Sequence, residues 1–171
     1  MGTEIERKFL VTSDAWREGA RPTAIRQGYI CADASRVVRV RTYGEKGFLT
    51  IKSGGAGMTR LEFEYEVPVA DATVLLDVLC QRPLIEKTRF AVEVDGIGWE
   101  VDVFEGANDG LVMAEVELES EAQQLALPPW AGREVTGDAR YFNAALAERP
   151  YSTWPAEERA AADGSGRPAI P

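Results

Sequence analysis

Along most of this chain apolar and polar residues take turns at every second position, the period of a β-strand with one dry face. The alternation predicts strands over residues 4–11, 25–31, 36–43, 48–52, 59–67, 84–94, 99–104 and 111–119. Turn chemistry separates them: Asp33-Ala34-Ser35, Gly44-Glu45-Lys46-Gly47, the glycine-rich 53–57, and Asp95-Gly96, a pair suited to a tight hairpin. Helical spacing is the exception. Val74, Leu75, Val78 and Leu79 predict a helix over 70–80 packed on one side. Thr12-Ser13-Asp14 offers capping oxygens for a short helix over 14–19, and further helices are predicted from near Glu121 and over 138–148. Past Pro150 the composition turns to Ala, Glu, Pro and Gly, which predicts one domain over 1–150 and a disordered tail over 151–171.

Short strands joined by tight turns predict a mainly β (α+β) fold. Its expected form is a closed eight-stranded antiparallel barrel, a tunnel, with a few flanking helices. Closure spares such a sheet two long unpaired edges; two packed sheets are the alternative.

The faces of these strands carry the chemistry. Glu4, Glu6 and Lys8 share one face; so do Arg39 and Arg41, Glu62, Glu64 and Glu66, Lys87 and Arg89, Glu100 and Asp102, and Glu115, Glu117 and Glu119, while Lys52 stands opposite Ile51. A solvated outer face explains any one of these rows. It explains the set poorly, because Glu, Asp and Lys are depleted in strands and the signs here are sorted. Carboxylates dominate the first, fifth, seventh and eighth strands, and cations the third, fourth and sixth. In a closed sheet the charged rows would line the lumen. Unpaired desolvation costs several kcal/mol per ion, so that lumen calls for water, metal and a multiply charged ligand.

Composition narrows the chemistry. The chain has 171 residues, 45% apolar and 27% charged, enough for a real core. Its net charge of −9 argues against a nucleic-acid or anionic-membrane partner. There is no histidine, which removes Ser-His-Asp triads, Cys-His dyads and His-ligated zinc. Two cysteines, Cys31 and Cys80, suit small apolar packing and a reduced, cytoplasmic setting. The first residues lack a secretory pattern, and no window reaches the roughly 18 apolar residues of a membrane helix. Trp16, Trp99, Trp130 and Trp154 read as packing residues. Clustered Arg and Lys match phosphate oxygens, and carboxylates without His or Cys select hard cations, Mg²⁺ or Mn²⁺.

The opening Glu4-Ile5-Glu6-Arg7-Lys8 has the form ExExK. It is followed in order by Gln27-Gly28-Tyr29, Val38-Arg39-Val40-Arg41, Thr50-Ile51-Lys52, Glu62-Phe63-Glu64-Tyr65-Glu66, Glu86-Lys87-Thr88-Arg89, Glu100-Val101-Asp102 and Ala114-Glu115-Val116-Glu117. Val135-Thr136 and Arg140-Tyr141 close the set. From residue 3 to about 148 the chain resembles the CYTH superfamily, the triphosphate tunnel metalloenzymes, and most of all its short bacterial members that hydrolyse inorganic triphosphate. The resemblance implies that Lys8, with Tyr29 nearby, serves the phosphoryl group being transferred. It implies that Arg39, Arg41, Lys52, Lys87 and Arg89 hold the triphosphate, with Arg140 on the late helix touching it. Glu4, Glu6, Glu64, Asp102, Glu115 and Glu117 would bind one or two metal ions. A small-molecule triphosphate is thus the expected partner, and family analogy adds a homodimer. A class IV adenylyl cyclase, a hydrolase of thiamine or nucleoside triphosphate, and a non-catalytic polyphosphate-binding module share the same framework.

Overall fold

The computed structural model describes residues 5–33, 35–53, 61–120 and 122–162. Its strands are β1 (Ile5–Val11), β2 (Arg21–Ala32), β3 (Arg36–Tyr43), β4 (Lys46–Ser53), β5 (Glu62–Val67), β6 (Ile85–Val94), β7 (Ile97–Glu105), β8 (Val112–Leu118) and β9 (Ala131–Glu134). Helix α1 (Val69–Val78) follows β5, and α2 (Asn143–Glu148) and α3 (Ala156–Ala162) end the described chain. All nine strands form one sheet in the order β5-β4-β3-β2-β6-β7-β8-β1-β9, with every paired neighbour antiparallel. The mainly β architecture expected from the alternation is therefore present, with one strand more than the pattern predicts. Among the described residues no ladder joins β5 to β1 or β9, so these stand at the ends of the hydrogen-bonded order.

Local chemistry accounts for the joints. Asp95 and Gly96 both take positive φ, 52° and 76°, the backbone a two-residue hairpin needs to match strand twist. Gly28 has another reason: a Cβ there would stand 2.7 Å from Cys80 Cβ and from a Leu84 methyl, so glycine lets the end of α1 press on β2. The apolar rows build the core on the outer face. Phe9, Trp99, Val101, Val116 and Trp130 form one cluster, with Trp16 edge-on to Phe90. Val40, Ala72, Leu76 and Leu84 form another beneath α1. Burying each such side chain is worth about 1.5–3 kcal/mol. All four tryptophans are buried, as their packing role requires.

Four expectations need correction. Residues 14–19 form only a 3₁₀ turn, Ala15–Arg17, anchored by buried Trp16 and ended by Gly19 at φ 73°. No helix forms in residues 122–130, where Pro128 and Pro129 push the preceding backbone towards extended geometry. The helix over 138–148 is broken at Phe142 (ψ 139°) into a 3₁₀ turn, Ala139–Tyr141, and α2. Residues 151–162, expected in a disordered tail, are ordered and bound to the core. Tyr151, Trp154 and Ala162 are buried with Leu10, Ile85 and Phe104, and Asn108 holds the Tyr151 N–H through Oδ1 at 2.8 Å.

Candidate active site

Alternation along each strand sends the charged row to the face opposite the apolar core. There Lys8, Arg39, Arg41, Lys52, Lys87 and Arg89 open into one cavity of about 850 Å³. Glu6, Glu62, Glu64, Glu100, Glu115 and Glu117 share it, and β2 contributes Gln27. Each strand from β1 to β8 thus gives at least one polar side chain, so the sheet wraps around this space.

The wall made by β6, β7, β8 and β1 is densely paired. Asp102, wholly buried, accepts from Lys87 Nζ and from Arg89 Nε and Nη2, the last two at 2.7 Å. Arg89 also donates to Glu115 at 2.8 Å and to Glu100. Lys8 Nζ lies between Glu6 at 2.6 Å and Glu115 at 2.7 Å. Burial alone would push these carboxylates towards the neutral acid. At Asp102 it is outweighed by Lys87 and Arg89, and at Glu115 chiefly by Lys87 and Lys8, so both stay below the usual carboxylate range. At Glu100 burial prevails, helped by Asp102 and Glu115, and its carboxyl is raised. Burial opposes the charge on Lys8 as well, but Glu115 and Glu6 hold its ammonium above the ordinary value.

The wall made by β3, β4 and β5 is less complete. Glu64 takes hydrogen bonds from Thr50 Oγ1 at 2.8 Å and Arg39 Nη2 at 3.2 Å, with Arg41 Nη2 at 3.6 Å. Against burial, these neighbours lower its carboxyl. Lys52 pairs with Glu62 at 2.9 Å, and the Arg41 guanidinium lies over the rings of Phe48 and Tyr43. The Nε atoms of Arg39 and Arg41 are both buried without a hydrogen-bond partner among the described residues. Burial and the nearby Arg39 push the Arg41 guanidinium down.

Most of the predicted site residues are brought together here, and some are not. Glu4 lies outside the described residues. Asp102 is not at the cavity surface but behind it, clasped by Lys87 and Arg89. Tyr29 is buried rather than lining, with its hydroxyl accepting from Gln27 Nε2 at 2.9 Å; burial raises its phenol against the pull of Arg39 and Lys8. Arg140 is misplaced by the prediction: its guanidinium pairs with Asp138 at 2.7 Å and approaches Glu158 at 3.7 Å, away from the cavity lining. Further contributors were missed, among them Arg21 and Glu93 on the cavity wall. Thr50 and Gln27 share the strand parity of Lys52 and Tyr29, so the same rule would have found them; Asn143, on α2, carries no such signal.

The oxygen donors suit a hard cation. Glu6 and Glu117 are register partners across β1 and β8, and Glu115 is the next residue on that face. Among the described residues no three acidic side chains converge at metal-ligand spacing. Mg²⁺ does not need that, since it commonly takes one or two carboxylates and keeps its other positions for water and phosphate.

A two-signed cavity within an antiparallel sheet is now joined by a decisive match: the CYTH domain pattern covers residues 2–151. The chain belongs to the CYTH domain family. It is 49% identical to an inorganic triphosphatase of Acetivibrio thermocellus over 154 residues, 90% of this chain and 99% of that protein. An inorganic triphosphatase of Nitrosomonas europaea is 42% identical over 149 residues, 85% of this chain and 97% of that one. The crystal structure of an inorganic triphosphatase superposes with a TM-score of 0.68 at 40% identity, covering 86% of this CYTH chain and 95% of the other. A putative adenylyl cyclase from Hippeastrum, 18% identical with a TM-score of 0.50 over 68% of this chain and 80% of that one, shares the fold alone.

Proposed function

We propose that this CYTH protein is a divalent-metal-dependent inorganic triphosphatase, releasing pyrophosphate and orthophosphate from tripolyphosphate. The observation that carries the reading is the cavity itself, where seven cations from five strands, Arg21 of β2 among them, surround a space whose other charged lining is carboxylate. The aromatic residue among the lining positions, Trp99, is buried against Phe9 and Trp130, so among the described lining residues no exposed ring offers a base a stacking surface. The two bacterial relatives, matched over nearly their full length, support the same substrate.

In this reading Arg39, Arg41 and Lys52 grip the triphosphate with the guanidinium and ammonium groups that they present to the cavity. Lys87 and Arg89 are held rigid by Asp102 and bind from the opposite wall. Asp102 therefore works through these two cations rather than on a metal. Lys8 faces the phosphoryl group being transferred, with Gln27 and Tyr29 bracing that side. From Glu6, Glu64, Glu115 and Glu117 would come the one or two carboxylates that hold each Mg²⁺ or Mn²⁺, and the metal would offset charge on the phosphoryl oxygens. Water attacks the terminal phosphorus in line, and pyrophosphate leaves. A cytoplasmic setting and a homodimer belong to the same proposal. No helix among the described residues is long and apolar enough to cross a membrane.

The test is phosphate release from tripolyphosphate, ATP and thiamine triphosphate with Mg²⁺, Mn²⁺ or Ca²⁺, beside an assay for cyclic AMP. Tripolyphosphate is expected to be hydrolysed fastest, EDTA to stop the reaction, and Lys8→Ala to lower kcat by about 10²–10³-fold with the fold intact. Cyclic AMP from ATP without tripolyphosphate hydrolysis would overturn the reading.

A further inference from the structure

Helix α2 contributes Asn143 to the cavity lining. The extended residue Phe142 ends the preceding turn and resets the chain direction, so α2 begins at Asn143. Asn143 and Leu146 are three apart and share a face of that helix. Leu146 is wholly buried in the cluster with Leu10 and Ile85, and this carries Asn143 inward. The helix rests on β2 and β6, the strands that bear Gln27 and Lys87.

The Asn143 Oδ1 atom is buried and has no hydrogen-bond partner among the described residues. A buried acceptor left unmet weakens a fold, so an asparagine kept for structure alone would be satisfied by it. Asn143 as a whole is only half-buried and lines the cavity, so a turn of its side chain brings the unmet amide to what enters there. Phosphoryl oxygens only accept, whereas water both donates and accepts. A carboxamide serves both, with Oδ1 taking a water proton and Nδ2 giving one to a phosphoryl oxygen. We propose that Asn143 is a substrate-positioning residue whose carboxamide orders a water against the phosphoryl oxygens of bound inorganic triphosphate. The inference rests on the triphosphatase reading above and deepens it. It places at Asn143 the contact that the sequence assigned to Arg140, whose guanidinium is occupied by Asp138 and Glu158.

The experiment compares wild type with Asn143→Ala and Asn143→Asp by steady-state tripolyphosphate hydrolysis and by thermal unfolding without ligand. Asn143→Ala breaks no hydrogen bond within the protein, so its Tm should match or exceed the wild-type value while kcat/KM falls about tenfold. Asn143→Asp keeps the shape but sets a negative oxygen against an anion, so KM should rise about tenfold and kcat should change less. An alanine variant with kcat/KM within twofold of wild type overturns the assignment. So does one that loses several degrees of Tm along with its activity, since that marks a structural residue. Wild-type protein that leaves tripolyphosphate intact overturns the parent reading, and this inference falls with it; active wild type with indifferent variants overturns this inference alone.

Discussion

The two walls of the cavity use the same residue types to opposite ends. On the β6–β7–β8–β1 side each cation meets carboxylate at hydrogen-bond distance: Lys87 and Arg89 on Asp102, Arg89 on Glu115 and Glu100, Lys8 between Glu6 and Glu115. On the β3–β4–β5 side Arg39 and Arg41 share Glu64, and each keeps a buried Nε with no acceptor among the described residues. The first wall is complete without a ligand and so is built for rigidity. The second has unmet donors and so is the less preorganised of the two. An electrostatic site gains most when its charges need no rearrangement at the moment of reaction, and only the paired wall satisfies that in the free protein.

The sharpest way to break the contrast is to strip the paired wall. Asp102→Ala leaves Lys87 and Arg89 buried side by side, and losing one partner of a buried ion pair costs about 3–5 kcal/mol. For a chain of this length that corresponds to a Tm lower by about 10 °C, readable by calorimetry. The matching change on the other wall should read differently. Arg41→Ala removes an under-satisfied cation, so Tm should move by less than about 3 °C, while KM for tripolyphosphate rises about tenfold. If Arg41→Ala proves as destabilising as Asp102→Ala, the distinction between the walls fails.

Acid sharpens the comparison with the smallest effect. Folding lowers the Asp102 carboxyl, to about 2, as the surrounding cations overcome burial. The native state therefore holds fewer protons than the unfolded chain, and this stability is full above about pH 5 and drains as pH falls towards 2. Between pH 5 and pH 3 Asp102 alone accounts for about 1 kcal/mol. Unfolding in EDTA across that range should show the loss, and Asp102→Asn should flatten the curve.

Alternation made most of this site legible. Because strand parity fixes the side of every second residue, it puts Lys8, Arg39, Arg41, Lys52, Lys87, Arg89, Glu6, Glu64, Glu115 and Glu117 on the face that lines the cavity. Parity says nothing of depth, and so Asp102 and Tyr29 were set at the cavity surface when both lie behind it. Away from the strands the rule has no purchase. Arg140 was misread because Asp138, two residues earlier, captures its guanidinium. Strand β9, four residues with a glycine, is too short to show a period; Arg7 reaches its Glu134 at 2.6 Å across a separation no pattern reveals. Residues 151–162 were lost to composition, which averages over a segment and misses two aromatic anchors, Tyr151 and Trp154.

Those anchors redraw the edge of the folding unit. The family pattern stops at residue 151, yet the Trp154 indole stacks edge-on against Tyr141 and Tyr151 in the cluster that contains Leu10 and Phe104. A protein trimmed where the family ends would strip that indole from its socket and wet the apolar seam beneath it. Protease resistance of the final described helix is therefore a gauge of whether the strands next to it are properly seated.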